Sequence, residues 1–172
     1  MAAVRWLLVI GVIASSARAD TDILADAGIG VAVEERCPAT TVSIRAGIAS
    51  DKVGAVLGVD WRHPVDDDPE DVDVSEHRRR IVAAVALPFA PTTQSRFVVR
   101  LGAGLELAHR SECGFVPRHV CSSATHRGFL FEAAPAYLWR LGDVFVGPEL
   151  VFAASSYSGK SVALALVAGF VR

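Results

Sequence analysis

The sequence predicts an all-β chain: eight antiparallel strands closing into an up-and-down transmembrane β-barrel, with short periplasmic turns at one end and longer extracellular loops at the other. Three observations predict it. Large apolar side chains alternate with small or charged ones at a period of two in eight separate segments. Each segment runs roughly ten residues, the length that crosses a bilayer as a tilted strand. Hydrophobic residues make up 52% of the 172 and charged residues only 21%, so the chain is apolar in short pieces. The same numbers exclude other classes. High hydrophobicity with little charge is the reverse of a disordered composition. A formal charge of -2 does not suit a nucleic-acid binder, which needs a basic face. A helical span needs roughly 18 consecutive apolar residues, and none follow the N-terminus.

Residues 1–19 read as a secretory signal peptide. Arg5 supplies the positive start, Trp6 to Ala14 the apolar run, and Ala17-Arg18-Ala19 the small-x-small cleavage site. The barrel domain is then 20–172. The first segment sets Ile23, Ala25, Ala27, Ile29, Val31 and Val33 against Leu24, Asp26, Gly28, Gly30, Ala32 and Glu34. The second sets Val42, Ile44, Ala46 and Ile48 against Ser43, Arg45 and Gly47. The third sets Val53, Ala55, Leu57, Val59 and Trp61 against Lys52, Gly54, Gly58 and Asp60. The fourth, residues 80–87, is apolar on both faces, and its register is open. In the fifth, Phe97, Val99, Leu101, Ala103, Leu105 and Leu107 oppose Arg100, Gly102, Gly104, Glu106 and Ala108. The sixth places Phe129, Phe131, Ala133, Tyr137 and Trp139 opposite Glu132, Ala134 and Ala136. The seventh places Val144, Val146, Leu150 and Phe152 opposite Gly147 and Glu149. The eighth sets Val162, Leu164, Leu166, Ala168 and Phe170 against Ser161, Ala163, Ala165 and Gly169. Pro135 and Pro148 fall inside strands of a closed barrel, where proline cannot donate to the ladder; bulges are the expected accommodation.

Connections alternate in length. Polar stretches over about 64–77 and 110–127 read as long loops, and turns near Ser50, Pro88 to Ser95 and Gly142 as short ones. With both termini inside, the longer set faces outward. The bulky face is expected to meet lipid, because the small face carries too few charges to coat a soluble barrel. Two aromatic girdles follow: Trp61, Phe129, Phe131 and Phe152 toward the long loops, and Phe97, Tyr137, Trp139 and Phe170 toward the turns. The lumen is expected to hold Asp26, Glu34, Arg45, Lys52, Asp60, Arg100, Glu106, Glu132 and Glu149 as a salt-bridge network, with a narrow acid-biased pore as the alternative.

Export implies an oxidising compartment. Cys113 and Cys121, eight apart, are positioned to close a small loop, leaving Cys37 over; pairings through Cys37 are the alternative. The spacing does not match a zinc knuckle, and no metal or other cofactor is expected. Residues 66–76 carry seven acids without the glycine or ligand spacing of a calcium loop, and read as a solvated extracellular loop. The following His77-Arg78-Arg79-Arg80 would sit at the level of lipid phosphates.

Signal peptide, eight alternating segments and the final SVALALVAGFVR together resemble the small eight-stranded outer-membrane β-barrels of Gram-negative bacteria, of the OmpA-transmembrane-domain and OmpX-like type. The last segment is similar to the C-terminal signal read by the barrel-assembly machinery, although Arg172 follows Phe170 by two places. The resemblance implies the cell outer membrane as location, lipids and lipopolysaccharide as surroundings, the assembly machinery as a transient partner, and a monomer. It implies a non-enzymatic structural or surface-interaction role. Two other roles stand beside it. One is a soluble periplasmic barrel holding a hydrophobic ligand. The other is a lipid A-modifying enzyme, because His109 and Ser111 resemble the His-x-Ser pair of outer-membrane lipid A deacylases. That family's Asn-Ala-Gly continuation is replaced here by Glu112-Cys113-Gly114.

Overall fold

The computed structural model describes residues 22–34, 38–50, 52–64, 72–89, 94–114 and 120–171. They form β1 (Asp22–Glu34), β2 (Pro38–Ala49), β3 (Gly54–Pro64), β4 (Val72–Phe89), β5 (Ser95–Gly114), β6 (Val120–Leu141), β7 (Val144–Ser155) and β8 (Gly159–Val171). Each strand pairs antiparallel with its sequence neighbours, and β8 closes on β1. Residues 1–19, read from the sequence as a signal peptide, and Cys37 lie outside the described residues.

The registers fix the barrel's dimensions. Leu24 on β1 pairs with Gly47, Gly47 with Val56, Val56 with Ala84, and Ala84 with Gly102. Gly102 pairs with Glu132, Glu132 with Ala153, Ala153 with Ser161, and Ser161 with Glu34, back on β1. One circuit therefore climbs ten residues, from 24 to 34. Ten residues at about 3.3 Å each, against eight strands at about 4.8 Å, give a tilt of about 40° and a backbone radius of about 8 Å. A cylinder that narrow has room for side chains and little else.

Alternation places the faces. Phe97, Leu101 and Leu105 on β5 are 39%, 49% and 48% exposed, while Val98, Arg100 and Glu106, of the opposite parity, are buried. The large apolar residues thus coat the outside and do not form a core, the arrangement of a lipid-facing wall and the reverse of a soluble ligand-binding barrel. The interior is narrow enough to bury a few apolar residues too. Leu24, Val98, Leu138, Phe145 and Val167 form a plug at the end where the chain enters.

Two expectations change, and one open register is settled. Within the stretches 64–77 and 110–127 the described residues are strand: β4 begins at Val72, β5 runs to Gly114 and β6 starts at Val120. The polarity there marks strand that has left the lipid, because a ladder does not require apolar side chains once water surrounds it. The fourth segment settles with Ile81 outward at 42% exposure and Val82 inward at 4%. The prolines are not accommodated by bulges. Pairing of β6 with β7 keeps one register throughout, with Ala133↔Phe152, Ala136↔Glu149 and Trp139↔Val146. It skips 134–135 and 137–138, so the seam loses ladder bonds around Pro135 and Pro148 without gaining a residue.

Candidate functional site: the charged lumen and the extracellular sheet

The lumen holds two ion-pair layers. The lower one joins four strands. Arg45 on β2 donates to Glu149 on β7 at 2.8 and 2.6 Å, and lies 3.4 Å from Asp26 on β1. Arg100 on β5 donates to Asp26 at 3.0 Å and also meets Glu149. Two cations and two carboxylates, all nearly without solvent, neutralise one another there.

The upper layer lies about 20 Å higher, since Glu34 follows Asp26 by eight residues on the same tilted strand. Arg62 donates to Glu34 at 2.7 Å and to Ser161 at 3.0 Å. Arg78 also donates to Glu34 and, at 2.5 Å, to Glu76. Arg80, fully buried, donates to Glu106 at 3.0 Å and to Ser158 at 3.1 Å. The Ser155 and Ser158 hydroxyls both donate to Glu106. Between the layers stand Asp60 and Glu132, with no ion pair to either among the described residues. One carboxylate oxygen of Glu132 is buried without a hydrogen-bond partner.

Placement of the remaining residues follows. Asp26, Glu34, Arg45, Asp60, Arg100, Glu106, Glu132 and Glu149 line the lumen. Lys52 does not: β3 starts at Gly54, and Lys52 is exposed in the turn after β2. Arg62, Arg78 and Arg80 were missed, yet all are lumenal, so the Arg78–Arg80 run is split. Arg78 and Arg80 point in, and only Arg79 points out. The signal was parity: Arg62 continues the inward row of Gly58 and Asp60, and Arg80 lies two residues from Val82. The aromatic residues Trp61, Phe97, Phe129, Phe131, Tyr137, Trp139, Phe152 and Phe170 are between 39% and 70% exposed, all on the outer face. With about 2.5 Å of height per residue and about 3 Å per strand step, they fall into two levels about 20 Å apart.

Above the barrel, β4, β5 and β6 continue as a three-stranded sheet. β3 pairs with β4 only from Arg78 inward, and β6 with β7 only from Leu130. The extension rises on the order of 20 Å past the upper aromatic level. A disulfide between the paired Cys113 and Cys121 staples its tip. Side chains 121–127 are all exposed. The sheet's inner side leans on the β7–β8 turn, where the His126 and Tyr157 rings stack at 4.9 Å. His109 and Ser111 share the outer face. The imidazole Nδ1 of His109 lies 3.2 Å from the Thr125 hydroxyl, and no described carboxylate meets it.

These features define the fold of the eight-stranded outer-membrane β-barrels. Neisserial surface protein A matches with a TM-score of 0.62 at 12% identity, over 87% of this chain and 96% of that one. Ail, the attachment invasion locus protein of Yersinia pestis, matches at 0.59 and 10% identity, over 88% and 97%. A major outer membrane protein from Thermus thermophilus matches at 0.62 and 12% identity, over 90% and 100%. No protein-family model and no curated relative matches the sequence.

Proposed function

We propose that this chain is an integral outer-membrane barrel of a Gram-negative bacterium, exported through a cleaved leader, whose role is to present a surface-interaction sheet. The observation that carries this reading is the extension of β4, β5 and β6. A strand exposed at a sheet edge offers unpaired backbone groups to another chain. Here residues 72–77 of β4 and 120–128 of β6 are such edges among the described residues. The disulfide holds them rigid, which lowers the ordering cost of binding. The neighbour named for attachment and invasion has also been crystallised with a heparin analogue, sucrose octasulfate. A plugged lumen is part of the same reading. Two ion-pair layers and an apolar plug fill an eight-stranded interior, so planar bilayers should stay silent.

The test is a chain in which residues 111–123 are replaced by a two-residue turn, displayed on bacteria that do not otherwise adhere. The intact barrel should confer binding to animal cells or matrix, and the shortened one should lose it while keeping heat-modifiable gel mobility. Equal adherence by both would overturn the role of the sheet. Recovery of the full chain in the soluble periplasm would overturn the membrane reading. The lipid A-modifying alternative has the His109–Ser111 pair in its favour but a hydroxyl where an orienting carboxylate is needed. Lipid A mass spectra should be the same with the intact chain, with Ser111→Ala and without either.

A further inference from the structure

The outward charges at the upper rim have one sign. Arg79 on β4 pairs with Leu107 on β5, and Leu107 with Arg127 on β6, so one outward row reads Arg, Leu, Arg. Both arginines are exposed, and neither forms an ion pair among the described residues. Two strand spacings put them about 10 Å apart. Trp61 pairs with Arg79 from the other side and belongs to the upper aromatic level. Lys160, also exposed and on the outer face, stands at the top of β8.

Heights taken from the registers put Arg79 about 3 Å, Lys160 about 5 Å and Arg127 about 9 Å above the mean upper aromatic level. No described acid shares this collar on the outer face. The lumenal arginines of the two ion-pair layers, by contrast, all meet carboxylates. Unpaired guanidinium groups directly above an apolar band face the headgroups of the outer leaflet. A guanidinium's fork of N–H donors fits phosphate oxygens bidentately.

We propose that Arg79 and Arg127, with Leu107 between them, form a binding site for the phosphate groups of a phosphorylated outer-leaflet lipid, with its acyl chains lying down the β4–β6 face. Leu107 supplies an apolar shelf on which the headgroup rests, and Ile81, Leu105 and Phe129 below it meet the chains. The occupant is a lipid and not free phosphate, because the two cations open sideways over the apolar wall. This rests on the membrane reading above.

The test uses the full mature chain, folded in detergent micelles and checked by heat-modifiable mobility. Native mass spectrometry would count adducts of diphosphorylated lipid A, of the same lipid with its phosphates removed, and of inorganic phosphate. The intact chain should hold the diphosphorylated lipid at least tenfold more tightly than the dephosphorylated one and should not retain inorganic phosphate. Arg79→Gln/Arg127→Gln should abolish that preference with folding unchanged. Equal retention of both lipids, retention of inorganic phosphate alone, or an unaltered preference in the double variant would overturn the site. If the double variant does not fold, the comparison of the two lipids on the intact chain, and Arg127→Gln alone, still decide. A chain that never inserts into lipid overturns the membrane reading instead, so the two failures are distinguishable.

Discussion

Leu101 and Leu105 offer a test in which surface exposure is held constant and only depth changes. Both lie on the outer face of β5, at 49% and 48% exposure. Leu101 lies about 10 Å from each aromatic level, while Leu105 lies level with the upper one. Were the barrel surrounded by water, Leu→Arg at either site would change stability by no more than about 0.5 kcal/mol. In a bilayer the arginine at Leu101 must sit near the midplane, where it costs about 2–4 kcal/mol, and at Leu105 it reaches the interface, where the cost is about 0–1 kcal/mol. The first corresponds to roughly a 30- to 700-fold fall in the folding equilibrium constant, the second to at most roughly fivefold. The assay is reversible urea unfolding in phosphatidylcholine vesicles, followed by the fluorescence of Trp61 and Trp139. Leu101→Arg should lower the midpoint clearly and Leu105→Arg barely. Equal costs at the two sites, or no cost at either, would refute the assignment of the outer face to lipid.

Other expected outcomes follow from the interior and the tip. Arg100→Met leaves Asp26 and Glu149 buried without one of their cations, at a cost of about 3–5 kcal/mol in denaturant unfolding, and adding Glu149→Leu should recover much of it. Gly104→Ala would place a Cβ 1.9 Å from the backbone carbonyl of Ile81. The β4–β5 ladder must then open, and the variant should show a reduced yield of the heat-modifiable form. Replacing both Cys113 and Cys121 by serine frees an eight-residue separation at the sheet's tip, where the loop-entropy estimate is about 2–3 kcal/mol. The loss should stay local, with faster proteolysis of the tip and an unchanged core of protected barrel. Amide exchange should be fastest within the wall along the β6–β7 seam beside Pro135 and Pro148, where pairs are missing. Pro148→Ala should slow it by restoring a donor.

Much of this barrel was legible because period two survives in a membrane strand with its sense inverted. Phe97 to Leu107 could be read from β5 alone, since lipid and lumen impose opposite demands on alternate residues. The disulfide was legible as one of the pairings open to an exported chain. The cross-strand positions of Cys113 and Cys121 then selected it. The ends of the long strands were not legible. Where β4, β5 and β6 leave the bilayer, water stands on both faces and the alternation fades, so strand looks like loop. Lys52 was misplaced for a related reason: parity says which face a residue takes only while the chain is extended, and the turn ends that condition before Gly54.

By itself the sequence determined the number of strands, the face taken by the side chains of the clearly alternating segments, and the apolar belt. Those follow from alternation and length, which are local. Only the tertiary structure decided which charges meet. Arg45 finds Glu149 across 104 residues and Arg100 finds Asp26 across 74. Such pairs depend on the ten-residue stagger of the closed barrel, a property of the whole circuit that no single strand contains. The same stagger sets the heights, and so separates the neutralised arginines inside from Arg79 and Arg127 outside.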